Sequence, residues 1–243
     1  MQLIEADGTE LNGLSVHTFP IHVAQRYSFI LETNQTARPY WIRAVMNTNC
    51  FQSSDGLDPQ ILGILQYNNS GVLPNTTSWD DSMDTVCRDL NLTELSPLDA
   101  RQMPNTADLT LRIDVSFQTV AHDLNYGFMN STSWVPLNGS NILGVAGSET
   151  TVSGVDPNFS LSSQLVYSIP TIQTVEYHSR ILYLYSLLLN NLDEGTHPFH
   201  LHGHKFWVLA QGDGVYNASA IVQNTNPVFR DTVSVRNCAL ARR

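Results

Sequence analysis

Four of the chain's eight histidines fall within nine residues, Thr196-His197-Pro198-Phe199-His200-Leu201-His202-Gly203-His204. Imidazoles at this density suit metal binding, because neutral imidazole is the commonest metal ligand and several can converge from one rigid backbone. In an extended strand residues two apart share a face. The spacing therefore predicts His200, His202 and His204 on one side, with Leu201 on the other. Pro198 keeps His197 extended ahead of that strand and free to point elsewhere, and Gly203 admits a close neighbour. One short segment thus serves two metal positions, with donors that suit copper, zinc, iron or nickel. The competing reading is four histidines filling a polar pocket, and it runs against the repulsion of clustered imidazoles once protonated.

A zinc-dependent hydrolase built on the His-x-His spacing is a second reading. It needs an Asp or Glu beside the metal as general base, and none lies between His197 and Lys205. Asp193 and Glu194, just upstream, read as a turn. A third reading is a secreted β-sandwich without catalysis, expected to fold free of metal.

The elements that must hold the histidines read as short strands. Leu3-Ile4, Leu14-Ser15-Val16, Ile21-His22-Val23, Tyr27 to Leu31 and Tyr40 to Val45 are branched or aromatic runs. Asp7-Gly8, Asn12-Gly13, Pro20, Asn34 and Pro39 separate them. Strands at intervals of about 8–12 residues point to a sandwich or barrel. Ile61 to Tyr67 adds another, and Asp108 to Phe117 alternates as a half-buried strand does. Further strands are expected near 171–177, 181–190, 205–211 and Val228 to Val235. Residues 89–104 read as a connector, placing a domain boundary near residue 106. No helical periodicity stands out, so the class is all-β. His17 and His22 occur singly and read as surface or strand-edge residues.

Twelve basic against twenty-two acidic side chains give a net charge of −10, which disfavours nucleic acid and anionic membranes as partners. The longest apolar run, Ile181 to Leu189 broken by Ser186, is shorter than the about 20 residues of a membrane span. The first residues carry no basic-then-apolar secretory signal. Yet Asn-x-Ser/Thr sequons occur at Asn34, Asn68, Asn75, Asn91, Asn130, Asn138, Asn158 and Asn217, a pattern of secreted, glycosylated surfaces. An Asn/Ser/Thr-rich loop composition would produce some of them by chance. Of three cysteines, Cys50 and Cys87 flank a loop-like stretch and either form a disulfide or remain as two buried thiols. The disulfide would contribute on the order of 3–4 kcal/mol on chain-entropy grounds. Cys238 has no evident partner.

His197-Pro198-Phe199-His200-Leu201-His202-Gly203-His204, followed by Lys205-Phe206-Trp207-Val208-Leu209, resembles the third of the four copper-binding motifs of multicopper oxidases. That family comprises laccases, ascorbate oxidase and fungal ferroxidases. Gln25-Arg26-Tyr27-Ser28-Phe29 and Tyr40-Trp41-Ile42-Arg43 resemble its second cupredoxin domain. Asn226-Pro227-Val228-Phe229-Arg230-Asp231-Thr232-Val233 resembles the segment that follows the third motif, and the Cys50 and Cys87 placement is similar to a disulfide of ascomycete-type laccases. The resemblance implies cupredoxin-like Greek-key sandwiches, with residues 1–106 the C-terminal part of a second domain and 107–243 a truncated third. It implies copper as cofactor: His197 a type 1 ligand, His200 a type 2 ligand and His202 a type 3 ligand. His204, which strand alternation alone nominates, is then a supporting residue. The implied reaction is one-electron oxidation of a phenol-like reductant, or of a metal ion in a ferroxidase, coupled to reduction of O2 to water. The implied intact protein is secreted.

The first two motifs of the family, which belong to an N-terminal cupredoxin domain, do not occur in this sequence. The fourth motif is expected after Val235, where Arg236-Asn237-Cys238-Ala239-Leu240-Ala241-Arg242-Arg243 stands instead. Cys238 has no flanking histidines and takes no type 1 role. Tyr177 to Tyr185 stands where the family has a shorter, more polar strand. Together these departures suggest a truncated or mis-spliced gene model, and a chain that alone is an inactive fragment.

Overall fold

The computed structural model describes residues 1–50, 54–67, 71–78, 87–101, 109–120, 124–131, 133, 185–212, 214 and 226–236. The strand expected near 171–177, Cys238 and the sequons at Asn68, Asn138, Asn158 and Asn217 lie outside them. The described residues form two compact units. One gathers residues from 1–101, 195–212 and 226–236; the other holds those from 109–194 and residue 214.

In the first unit β1 (Gln2–Ala6) is the centre of a three-stranded antiparallel sheet, between β2 (Thr9–Ser15) and β3 (Tyr27–Ile30). A register shift between Leu3 and Glu5 interrupts both ladders, so Leu3 and Ala6 are both fully buried although three apart. The β1–β2 turn uses Asp7 (φ 48) and Gly8 (φ 77), the left-handed pair of a two-residue hairpin. Leu3, Ala6 and Leu11 share a core with Leu90, Leu92 and Leu95, and with Val208, Val228 and Val233. Distant parts of the chain therefore bury one another's apolar side chains, the dominant stabilising term.

From Asp89 to Pro97 the connector is pinned rather than loose. The Asn12 side-chain amide donates to Ser96 Oγ (3.1 Å) and Pro97 O (3.0 Å), and Asn226 donates to the same two acceptors at 3.2 Å. The buried Asp89 carboxylate accepts from Gln25 Nε2 (2.7 Å), Leu90 N (2.8 Å) and Ser234 N (3.3 Å). Buried carboxylates persist only when satisfied in this way.

The expected strand at Ile21-His22-Val23 is absent. Gln25 closes a turn there, with its amide N bonded to His22 O and its side chain accepting from His22 N, and Ala24 takes φ 66. β4 (Tyr40–Val45) and β5 (Gln60–Leu65) pair in an antiparallel hairpin whose Ile42, Ile61 and Ile64 are exposed. Cys50, which ends the 3-10 turn Thr48–Cys50, is disulfide-bonded to Cys87, with a Cα–Cα distance of 5.5 Å.

In the second unit β6 (Leu109–Val120) pairs antiparallel with β7 (Leu124–Met129) and parallel with β8 (Tyr185–Asn191). Asn130, just past β7 at φ 49, bonds back to β6. Its side chain accepts from Asp114 N (2.8 Å) and donates to Arg112 O (3.0 Å). Its sequon thus lies on a half-buried amide already engaged by the sheet, whereas Asn34, Asn75 and Asn91 are exposed.

The remaining strands are shorter than the hydropathy pattern suggests. β9 (His197–His200) pairs with β12 (Thr232–Val235), and β10 (Phe206–Trp207) with β11 (Phe229–Arg230). The run 205–211 yields only two strand residues, and 228–235 is broken at Asp231. That break turns Asp231 towards the histidines.

Candidate metal centre

β9 fixes the first two histidines on opposite faces. Val235 opposes His197 and Thr232 opposes His200. Along β9, residues 197 and 199 are half-buried and 198 and 200 exposed, the two-residue alternation of a strand. His197 therefore opens the strand instead of preceding it, and His200 closes it.

Beyond His200 the extended pattern stops, so His200, His202 and His204 do not share a strand face as expected. Leu201 to His204 is a turn: His204 N donates to Leu201 O (3.4 Å), and Gly203 sits at φ 72. That is the glycine-requiring third position of a type II turn. Folding the chain back carries the His202 ring beside that of His200, with centroids 5.0 Å apart and planes tilted by 51°. His204 Nδ1 donates to His202 O (3.0 Å), bracing the turn.

The tautomer of His200 follows from its neighbours. Nδ1 lies 3.1 Å from Asp231 O and 2.9 Å from Thr232 Oγ1. A carbonyl only accepts, and the single Thr232 hydroxyl proton already goes to Asp231 Oδ1 (2.8 Å). Nδ1 must carry the proton, leaving the Nε2 lone pair for a metal. The same Asp231 carbonyl takes Leu201 N (3.0 Å), so one backbone oxygen orients both the His200 ring and the start of the turn.

Asp231 is itself clamped. Arg26 Nη1 and Nη2 reach its two carboxylate oxygens at 2.6 and 2.7 Å, the bidentate geometry that makes Arg–carboxylate pairs strong. This Arg26 fork, with help from the Thr232 hydroxyl, holds the Asp231 carboxyl well below the usual carboxylate range. Behind it lies a buried layer. Asp7 accepts from Arg26 N (2.8 Å) and from Arg230 Nε (2.7 Å), and Arg230 Nη1 donates to Tyr27 OH (3.0 Å). Burial pushes the Tyr27 phenol up to about 12, partly offset by Arg230. These residues lie inside the stretches that resemble the family, but a sequence gives no sign that they meet. The available signal was charge out of place: Arg230 and Asp231 interrupt an otherwise apolar strand pattern.

The donors suit copper, which takes neutral imidazole nitrogen readily. The described residues bring His200 and His202 together, keep His197 on the other face, and hold no group of three or more His, Cys, Asp or Glu able to bind one ion. Asp231 Oδ1 lies 3.4 Å from His200 Nδ1. It faces the protonated nitrogen and is occupied by Arg26, so it is poorly placed as the general base of a zinc hydrolase.

Two family models, both described as multicopper oxidase, match residues 1–70 and 152–241. Laccase-5 of Trametes villosa is 33% identical over 243 residues, covering 98% of this chain and 41% of the laccase. An iron transport multicopper oxidase of Candida albicans is 29% identical, covering 96% of this chain and 37% of that protein. The chain thus spans about four-tenths of the length of the curated relatives it matches. A solved multicopper oxidase that functions in iron import superposes with TM-score 0.69 at 23% identity, covering 98% of this chain and 44% of that one. The laccase of Botrytis aclada superposes with TM-score 0.70 at 22% identity, covering 98% and 41%. The fold is all-β and cupredoxin-like, and the chain belongs to the multicopper oxidase family.

Proposed function

We propose that this chain is the portion of a laccase-like copper oxidoreductase that carries the third copper motif. In the whole protein the reaction is one-electron oxidation of phenols or similar reductants, coupled to reduction of O2 to water. The observation that supports it best is the His200 ring, proton fixed on Nδ1 by the Asp231 carbonyl and Nε2 left free, beside the His202 ring at 5.0 Å. On this reading His197 serves a type 1 copper, His200 a type 2 copper and His202 a type 3 copper. Bound copper supplies one-electron redox chemistry. This chain orients His200 through Asp231 and braces the His202 turn through His204. Residues 1–106 are assigned to a second cupredoxin domain and 107–243 to a third, with a further cupredoxin domain as partner. The exposed sequons at Asn34, Asn75 and Asn91 support secretion of the whole protein. A ferroxidase is the second reading, favoured by the iron transport relative.

Because the described residues offer no metal three of these donors, the 243-residue chain alone binds copper weakly and has negligible oxidase activity. Copper titration with spectroscopy checks this. Blue type 1 absorbance from the isolated, copper-loaded chain overturns it, and stoichiometric zinc in the purified chain overturns the copper reading.

A further inference from the structure

The β1–β2 turn and the residue after the histidine turn touch in a way no role assigned above explains. Lys205 Nζ donates to Thr9 Oγ1 at 3.0 Å, and the Thr9 hydroxyl donates to Phe229 O. The ammonium lies directly over Gly8, where a Cβ would stand 3.1 Å from Nζ. Gly8 takes φ 77, so a side chain there would be strained as well as crowded. An ammonium has three protons and no acceptor function, which makes Lys205 a one-way tether from the histidine segment to the hairpin. The turn is then held at both ends. Leu201 N is fixed to Asp231 O on one side, and Lys205 to Thr9 on the other. Between them the turn's own closing bond, His204 N to Leu201 O, is long at 3.4 Å. With so weak a closing bond, the placement of His202 leans on the two anchors together with the His204 Nδ1 bond to His202 O.

We propose that Lys205 is a positioning residue for the metal centre, docking the His202–His204 turn onto the Asp7-Gly8-Thr9 turn so that the His202 ring stays beside that of His200. The positioning role rests on the copper reading of the site; the tether itself does not.

The test uses the full 243-residue chain and its variants Lys205→Met and Thr9→Val, the second leaving the histidine segment unaltered. Without metal, amide exchange at His204 rises about tenfold in either variant, the change expected when one of two anchors is lost. Leu201, anchored by Asp231, keeps its rate. The double variant exchanges no faster than either single one, as coupled partners do. Copper(II) binding then weakens about tenfold in either variant, the range seen when support behind a ligand is removed. Unchanged exchange at His204 overturns the tether. Faster exchange with unchanged copper affinity, in a chain whose copper binding is lost in His200→Ala/His202→Ala, overturns the positioning role. If that alanine pair binds copper as the parent does, the copper reading falls and the positioning role with it. The exchange data distinguish that outcome from a failed tether.

Discussion

Arg230 and Asp7 approach to 2.7 Å with both side chains fully buried, whereas Arg112 and Asp114 approach to 3.0 Å with 59% and 31% of their side chains exposed. The distances barely differ, so the surroundings decide what each pair does. Arg230 and Asp7 lie out of reach of bulk solvent, and removing Asp7 strands the Arg230 charge. Around Arg112 and Asp114 solvent takes over at small cost. Arg26 and Asp231 stand between these extremes, at 52% and 14% exposure, and theirs is the pair that touches His200 at the candidate metal centre.

The largest effect is expected from Asp7→Asn, which keeps side-chain volume and tolerance of positive φ but leaves the Arg230 charge uncompensated. Unfolding by denaturant should show a loss of about 3 kcal/mol, and Arg230→Met in the same background should recover part of it. Arg26→Met separates stability from binding. The exposed guanidinium contributes only about 1 kcal/mol or less to folding, yet its loss frees Asp231 and should weaken copper binding by roughly tenfold on the proposed reading. Arg112→Ala should cost no more than about 0.5 kcal/mol. A cost matching that of Asp7→Asn would show that burial is not what separates the two pairs.

The smallest effect is one of pH. Hydrogen bonds from Asn190 and Arg112 lower the Asp114 pKa below its ordinary value. A carboxyl whose folded pKa is depressed contributes stability that is present above its unfolded pKa, near 4, and is lost as pH falls through the folded value. Acid titration of thermal stability below about pH 4 should therefore be slightly shallower in Asp114→Asn than in the parent. An unchanged slope would remove Asp114 from the acid response.

Some of this was legible in the residues alone. Branched or aromatic runs located β1 and β3 to β6, whereas Asn12-Gly13, a turn signal in the sequence, lies inside β2 (Thr9–Ser15). Ile21-His22-Val23 shows the limit: the strand preference of Ile21 and Val23 lost to a turn that Gln25 closes through both its backbone and its side chain. The spacing of the histidine segment points to metal-binding chemistry, yet its shape misled. Gly203 reads equally well as a strand residue beside a close neighbour or as a left-handed corner, and only the corner brings His202 beside His200. The chain Arg26–Asp231–His200 was not legible, since it joins residues 205 positions apart and no local pattern encodes such a meeting. The same holds for Lys205 over Gly8.

The shared core also sets a schedule for folding. Asp7 and Arg230 stand 223 positions apart, so during synthesis the β1–β3 sheet emerges long before the strands that cover it. Closing so long a loop delays the rewarding contacts and slows folding. Meanwhile Leu3 and Ala6 wait without Val208, Val228 and Val233 to cover them, beside an Asp7 that has Arg26 but not yet its buried partner Arg230. A nascent chain in that condition is a natural client for chaperones, and a brake on translation late in the message would lengthen its exposure.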